Sequence, residues 1–166
     1  MTRPLRVKNK MNGNTKDKNK ALIRLVYEKT RSGGPQSTAP LLDSEFVARI
    51  GDSVPWGGVY RGPDHYLGTC VRQYSLYLEP TSVVYETLNS QDDEVHALVH
   101  LKMHEGDATV PFLHTWTISG DKVTHLNSVC LQPSLLSAPI LSARRKRPKR
   151  LQLYERLMLV KRRQSM

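Results

Sequence analysis

Among the unperturbed side chains of this 166-residue chain, only its six histidines change charge near neutrality. Spacing sorts them. His96, His100 and His104 fall four residues apart in a stretch that alternates like a strand. Four strand residues span roughly 13 Å, too far for ligands that must converge at about 2 Å from one metal ion. The trio is expected on a solvated sheet face, with Val95, Ala97, Val99, Leu101 and Met103 as the buried row. His114 differs, because it interrupts the apolar row Val110, Phe112, Trp116 and Ile118. A polar group in such a row needs a partner or a wet cavity. It is either a hydrogen-bonded core histidine or a pocket histidine able to polarise an oxygen or move a proton.

The last strand leaves two alternatives. Val123, His125, Asn127 and Val129 form one row, and Thr124, Leu126, Ser128 and Cys130 the other. A bulge could swap them partway. His125 and Asn127 become candidates only if theirs is the inner row.

The stretch GDSVPWGGVYRGPDHY, residues 51–66, could carry a further group. Asp52 follows an apolar run closely enough to sit at a cavity rim. A carboxylate desolvated there gains a raised pKa and can act as general base. The competing reading is a local turn, since Asp readily bonds its own backbone. Trp56 and Tyr60 are expected to wall a pocket or pack on the following helix. Glycine-rich phosphate binding is excluded, because the stretch lacks a GK[ST] ending.

Several elements must position these groups. A helix is predicted from about Lys18, with Leu22, Ile23, Val26 and Tyr27 at helical spacing and Gly33-Gly34 as its stop. A second, short helix is expected over residues 37–43, and Phe46, Ala48 and Ile50 alternate like a strand. Pro63 suits the first position of a third helix, whose stripe is Tyr66, Leu67, Cys70, Val71 and Tyr74. Four strands then follow, over residues 82–88, 95–103, 110–118 and 123–131. The short loops between them imply an antiparallel meander.

Charge divides the chain sharply. Residues 1–20 carry seven basic side chains and one acidic one, and residues 144–166 carry ten and one. The 123 residues between hold eight basic and thirteen acidic side chains, so a mildly acidic domain lies between two basic ends. Residues 1–17 read as a basic disordered arm, 18–131 as the domain, and 132–166 as a basic extension. In that extension Leu151, Tyr154, Leu157, Met158 and Leu159 permit an amphipathic helix. Basic ends could contact nucleic acid or an anionic membrane, or serve only as solubilising tails. Cys70 and Cys130 stand far apart without a CxxC spacing, which supports neither a disulfide scaffold nor a sulfur-ligated zinc. A reducing, cytoplasmic location is expected, with no cofactor and no metal.

The order of helices, the segment "VPWGGVYRG" and the meander with "HTWTISGDKV" resemble the nuclear transport factor 2-like superfamily. The resemblance is closer to its SnoaL-like polyketide cyclase and ketosteroid isomerase branch. It covers roughly residues 18–131. It implies an α+β cone, in which about three N-terminal helices pack on a curved antiparallel sheet enclosing a cavity. By position, Tyr27 matches the tyrosine that assists an isomerase oxyanion, and Asp52 lies at or one residue from the general base. His114 resembles the cyclase pocket histidine. Leu113 and Ser128 stand where the family's other acids would be. The resemblance thus implies catalytic roles for Asp52, His114 and Tyr27. Ligand contacts would come from Trp56, Tyr60, Phe112, Trp116, Leu126 and Ser128. The substrate would be a small apolar or polycyclic carbonyl compound, isomerised, cyclised or dehydrated without cofactor. The alternative is a non-catalytic ligand-binding or dimerising scaffold, and the resemblance also implies a homodimer.

Overall fold

A computed structural model describes residues 8–136, with side chains from Asn14 onward. The basic extension beyond Leu136 and the first seven residues lie outside the described residues. So do the helix expected around Leu151–Leu159 and most of the contacts expected of the basic ends.

Helix α1 (Lys8–Gly33) begins well before the expected Lys18. Its first turn holds no acidic side chain that would favour the positive end of the helix dipole. Packing of its later turns, through Ile23, Val26 and Tyr27, anchors it to the core. A 3₁₀ turn (Pro35–Leu41) follows where a short helix was expected, with proline at its start and again at Pro40. Proline has no N–H for a helical ladder, which keeps this element short.

Strand β1 (Leu42–Ile50) turns through residues 51–57 into β2 (Gly58–Arg61), an edge strand absent from the sequence reading. Gly62, at φ 80°, then swings the chain into α2 (Pro63–His65), an angle that glycine reaches without penalty. A π-helical turn (Tyr66–Val71) and α3 (Arg72–Tyr74) continue directly from it. The meander comprises β3 (Val84–Gln91), β4 (Glu94–Lys102), β5 (Thr109–Ser119) and β6 (Lys122–Cys130). All four pair antiparallel, as their spacing predicted.

The sheet as a whole corrects the expected antiparallel cone. Its order is β2-β1-β6-β5-β4-β3, and β1 runs parallel to β6. The sheet is therefore mixed, and it is open. β2 and β3 are its two edges and do not pair with each other, so no closed cone forms. The physical reason lies in the hairpin. β2 folds back on the outer side of β1 and becomes an edge there, while β6 takes the other side of β1.

The core fills the space between α1, the helical stretch 63–74 and one face of the sheet. Val95, Ala97, Val99, Leu101 and Met103 are all buried, as their alternation required. The last strand resolves its two alternatives by a bulge. Ile118 pairs with Val123 but Thr117 with His125, leaving Thr124 as the extra residue. Val123 is buried before the bulge, and Leu126, Ser128 and Cys130 are buried after it. One residue changes which row faces inward.

Candidate functional site

The inner face of the sheet and α1 enclose an apolar cavity of about 60 Å³. Tyr27 of α1, His114 and Trp116 of β5, and Leu126 and Ser128 of β6 line it, with Phe112 and Trp56. The helical stretch adds Tyr66, Leu67, Cys70 and Tyr74. These came into the sequence reading only as a packing stripe. A stripe at helical spacing says that a face is buried, but not whether it meets protein or a cavity.

Three side chains form a directed hydrogen-bond chain. Trp116 Nε1 donates to the Tyr27 hydroxyl at 2.8 Å, and that oxygen lies 3.1 Å from His114 Nδ1. An indole N–H can only donate. The tyrosine oxygen therefore accepts from Trp116, and its own proton is best placed on His114 Nδ1. That assignment leaves the imidazole proton on Nε2. Nε2 has no protein partner among the described residues and is not sealed from its surroundings. Ring packing holds the arrangement, with the Tyr27 and His114 planes 19° apart and Trp116 edge-on to both.

Burial sets the electrostatics. Desolvation lowers the His114 pKa to about 3, so the ring is neutral at pH 7. It raises the hydroxyls of Tyr27, Tyr66 and Tyr74 above the usual tyrosine range, and pushes the Cys70 thiol up to about 12. No Asp, Glu, Lys or Arg lines the cavity among the described residues. The site is polar at a few atoms and charged at none.

Of the residues singled out in sequence, Tyr27, His114, Trp56, Phe112, Trp116, Leu126 and Ser128 come together here. His114 and Ser128 are direct partners across β5 and β6. Two others do not join them. Asp52 sits exposed in the turn after β1, outside the lining, because residues 51–57 bury Val54 and Trp56 and turn the carboxylate away. Among the described residues, no carboxylate lines the cavity. Tyr60 is buried but does not line the cavity, since its hydroxyl donates to the Trp56 carbonyl at 2.7 Å. It supports Trp56, which stacks on Tyr77 at 5.6 Å.

The remaining histidines stay away from the cavity. His96 lies 3.1 Å from the Thr115 hydroxyl, His100 3.0 Å from Glu86 Oε1, and His104 2.7 Å from the Ser75 carbonyl. His125 bonds Thr124, and Asn127 is exposed. Among the described residues no group of three or more side chains could hold a metal ion. No helix there is long and apolar enough to cross a membrane.

No protein-family model matches the chain, and no curated protein matches it in sequence. Solved structures do match it in three dimensions. An NTF2-like protein from Burkholderia thailandensis superposes with a TM-score of 0.61 at 14% identity, over 74% of this chain and 96% of that one. A protein with a ketosteroid isomerase-like fold from Catenulispora acidiphila, in complex with trimethylamine, gives 0.54 at 14%, over 64% and 82%. TerC, co-crystallised with polyporic acid, gives 0.61 at 14%, over 71% and 95%. At such identities the likeness concerns architecture alone: the chain has an NTF2-like fold.

Proposed function

We propose that the cavity binds a small, uncharged, mostly apolar molecule bearing one hydrogen-bond acceptor, such as a short-chain ketone. The observation that carries this reading is the Trp116–Tyr27–His114 chain, which ends in an imidazole Nε2–H with no protein acceptor among the described residues. A polarised chain of donors strengthens its last member, and an apolar lining with one or two oriented polar groups is the usual makeup of a ligand site. Ser128, buried beside His114, supplies a second polar atom.

Charge and volume narrow the ligand. A charged guest would be desolvated without a counter-ion, at a cost of several kcal/mol. The cavity of about 60 Å³ falls below the roughly 300 Å³ that drug-sized pockets begin at. A polycyclic guest exceeds it in this conformation. Proteins of the same fold have been crystallised with trimethylamine and with polyporic acid, two molecules of quite different size.

Binding is favoured over proton abstraction. Asp52 is at the surface, and neutral His114 presents a donor to the cavity, not a base. Titration with acetone, butanone and cyclohexanone tests the reading through the Trp116 indole N–H resonance. A saturable shift with the smaller ketones, weakened about tenfold in His114→Phe by loss of one hydrogen bond, is the expected result. No shift with any of the three, or unchanged affinity in the variant, would overturn it.

A further inference from the structure

The core lies on one face of the sheet, and the other face carries an apolar patch. Leu98 pairs with Leu113 across β4 and β5, and Leu113 with Val129 across β5 and β6. In the next row the Leu131 N–H donates to the Pro111 carbonyl at 2.9 Å. Leu113, Val129 and Leu131 are 41%, 48% and 48% exposed. Their sequence neighbours Phe112, Ser128 and Cys130 are buried, which places the three on the outward side. A contiguous apolar patch on three adjacent strands marks an interaction surface more often than scattered apolar residues do.

We propose that this patch docks the chain's own C-terminal segment, residues 137–166. Three observations select that occupant. The first is position: the described chain ends at Leu136, five residues after Leu131 of the patch, in a 3₁₀ turn (Pro133–Leu136) that packs against β5. The second is pattern and reach. Leu151, Tyr154, Leu157, Met158 and Leu159 are the apolar cluster of the segment. The stretch 137–150 that precedes them spans up to roughly 50 Å when extended, enough to bring the cluster onto the outward face. The third is charge: residues 144–166 carry ten basic side chains and one acidic, whereas residues 21–143 carry eight basic and thirteen acidic, so the two are of opposite net sign. Tethering makes the contact intramolecular, so its occupancy does not depend on protein concentration.

The test is amide hydrogen exchange on the full chain at two concentrations a hundredfold apart. The expected result is exchange over residues 151–160 slowed at least about tenfold relative to an unstructured peptide, and equally at both concentrations. Leu113→Lys should remove that slowing while leaving the exchange of β4 and β5 backbone amides unchanged, because Leu113 lies outside the core. Leu157→Asp, which leaves the domain untouched, should remove it as well and covers the case in which Leu113→Lys misfolds. Unprotected amides over 151–160, or protection that Leu157→Asp does not alter, would overturn the proposal. Protection that disappears on dilution would assign the patch to a second copy of the chain and overturn it equally.

Discussion

The Tyr27 hydroxyl sits between two ring nitrogens, accepting from Trp116 at 2.8 Å and lying 3.1 Å from His114 Nδ1. A helix residue and a strand residue, 87 positions apart in the chain, thereby share one proton. Removing that oxygen orphans a buried indole N–H and a ring nitrogen together. Tyr27→Phe is expected to cost about 1–3 kcal/mol, the usual penalty for a buried group left unsatisfied. Urea unfolding monitored by tryptophan fluorescence measures it, and an unchanged midpoint would contradict the hydrogen-bond chain.

The neutral state of His114 predicts a pH dependence with a definite sign. Its pKa is lowered from 6.5 to about 3 by burial, so below pH 6.5 the unfolded chain takes up a proton that the folded one refuses. Stability from this group is complete above pH 6.5, declines as the pH falls from 6.5 toward 3, and is level below. His114→Phe should flatten that part of the curve, measured as urea midpoints from pH 7 to pH 4. In the wild-type chain the His114 ring resonances should not titrate between pH 8 and pH 5.

Gly57 tests the turn that turns Asp52 away from the cavity. A methyl group there would lie 2.7 Å from the Gly51 carbonyl oxygen and 2.9 Å from the Asp52 Cα. Both are backbone atoms that cannot swing aside. Gly57→Ala is expected to destabilise the fold by about 1–3 kcal/mol, the range for overpacking, visible as a lowered melting temperature.

Asp52→Asn should be silent. The side chain is exposed and outside the cavity, and surface substitutions of this sort fall within about 0.5 kcal/mol. Ketone affinity and urea midpoint should both match the wild type. A loss of binding in this variant would return the carboxylate to the site.

Periodicity carried most of what was legible in the sequence. Two-residue alternation located β3 to β6, and the row interrupted by His114 marked an inward-facing row while leaving open whether that histidine met core or cavity. Helical spacing placed Tyr27 on the buried side of α1. What periodicity could not carry was pairing between distant segments. The parallel contact of β1 with β6 depends on which edge β2 occupies, and four residues of β2 give too short a run for alternation to register. Asp52 stayed undecided between cavity rim and local turn for a related reason. A candidate general base was inferred from nearness in sequence to an apolar strand, whereas the direction of its carboxylate follows from burial of Val54 and Trp56 within the same turn. The inward row of β6 depended on a single bulged residue, Thr124, which alternation alone cannot locate.

The β1–β6 pair also governs the order in which this protein can assemble. Residues 47–50 of β1 find their parallel neighbours at 125–128, near the end of the domain. β1 cannot find its β6 neighbour until residues 125–128 have been synthesised, and loop-closure entropy disfavours early pairing of segments so far apart. The local β3–β6 meander can form first and present β6 as a template. Docking of β1 is then the expected late step of folding, completing the cavity wall by bringing Ile50 and Trp56 against a sheet already built.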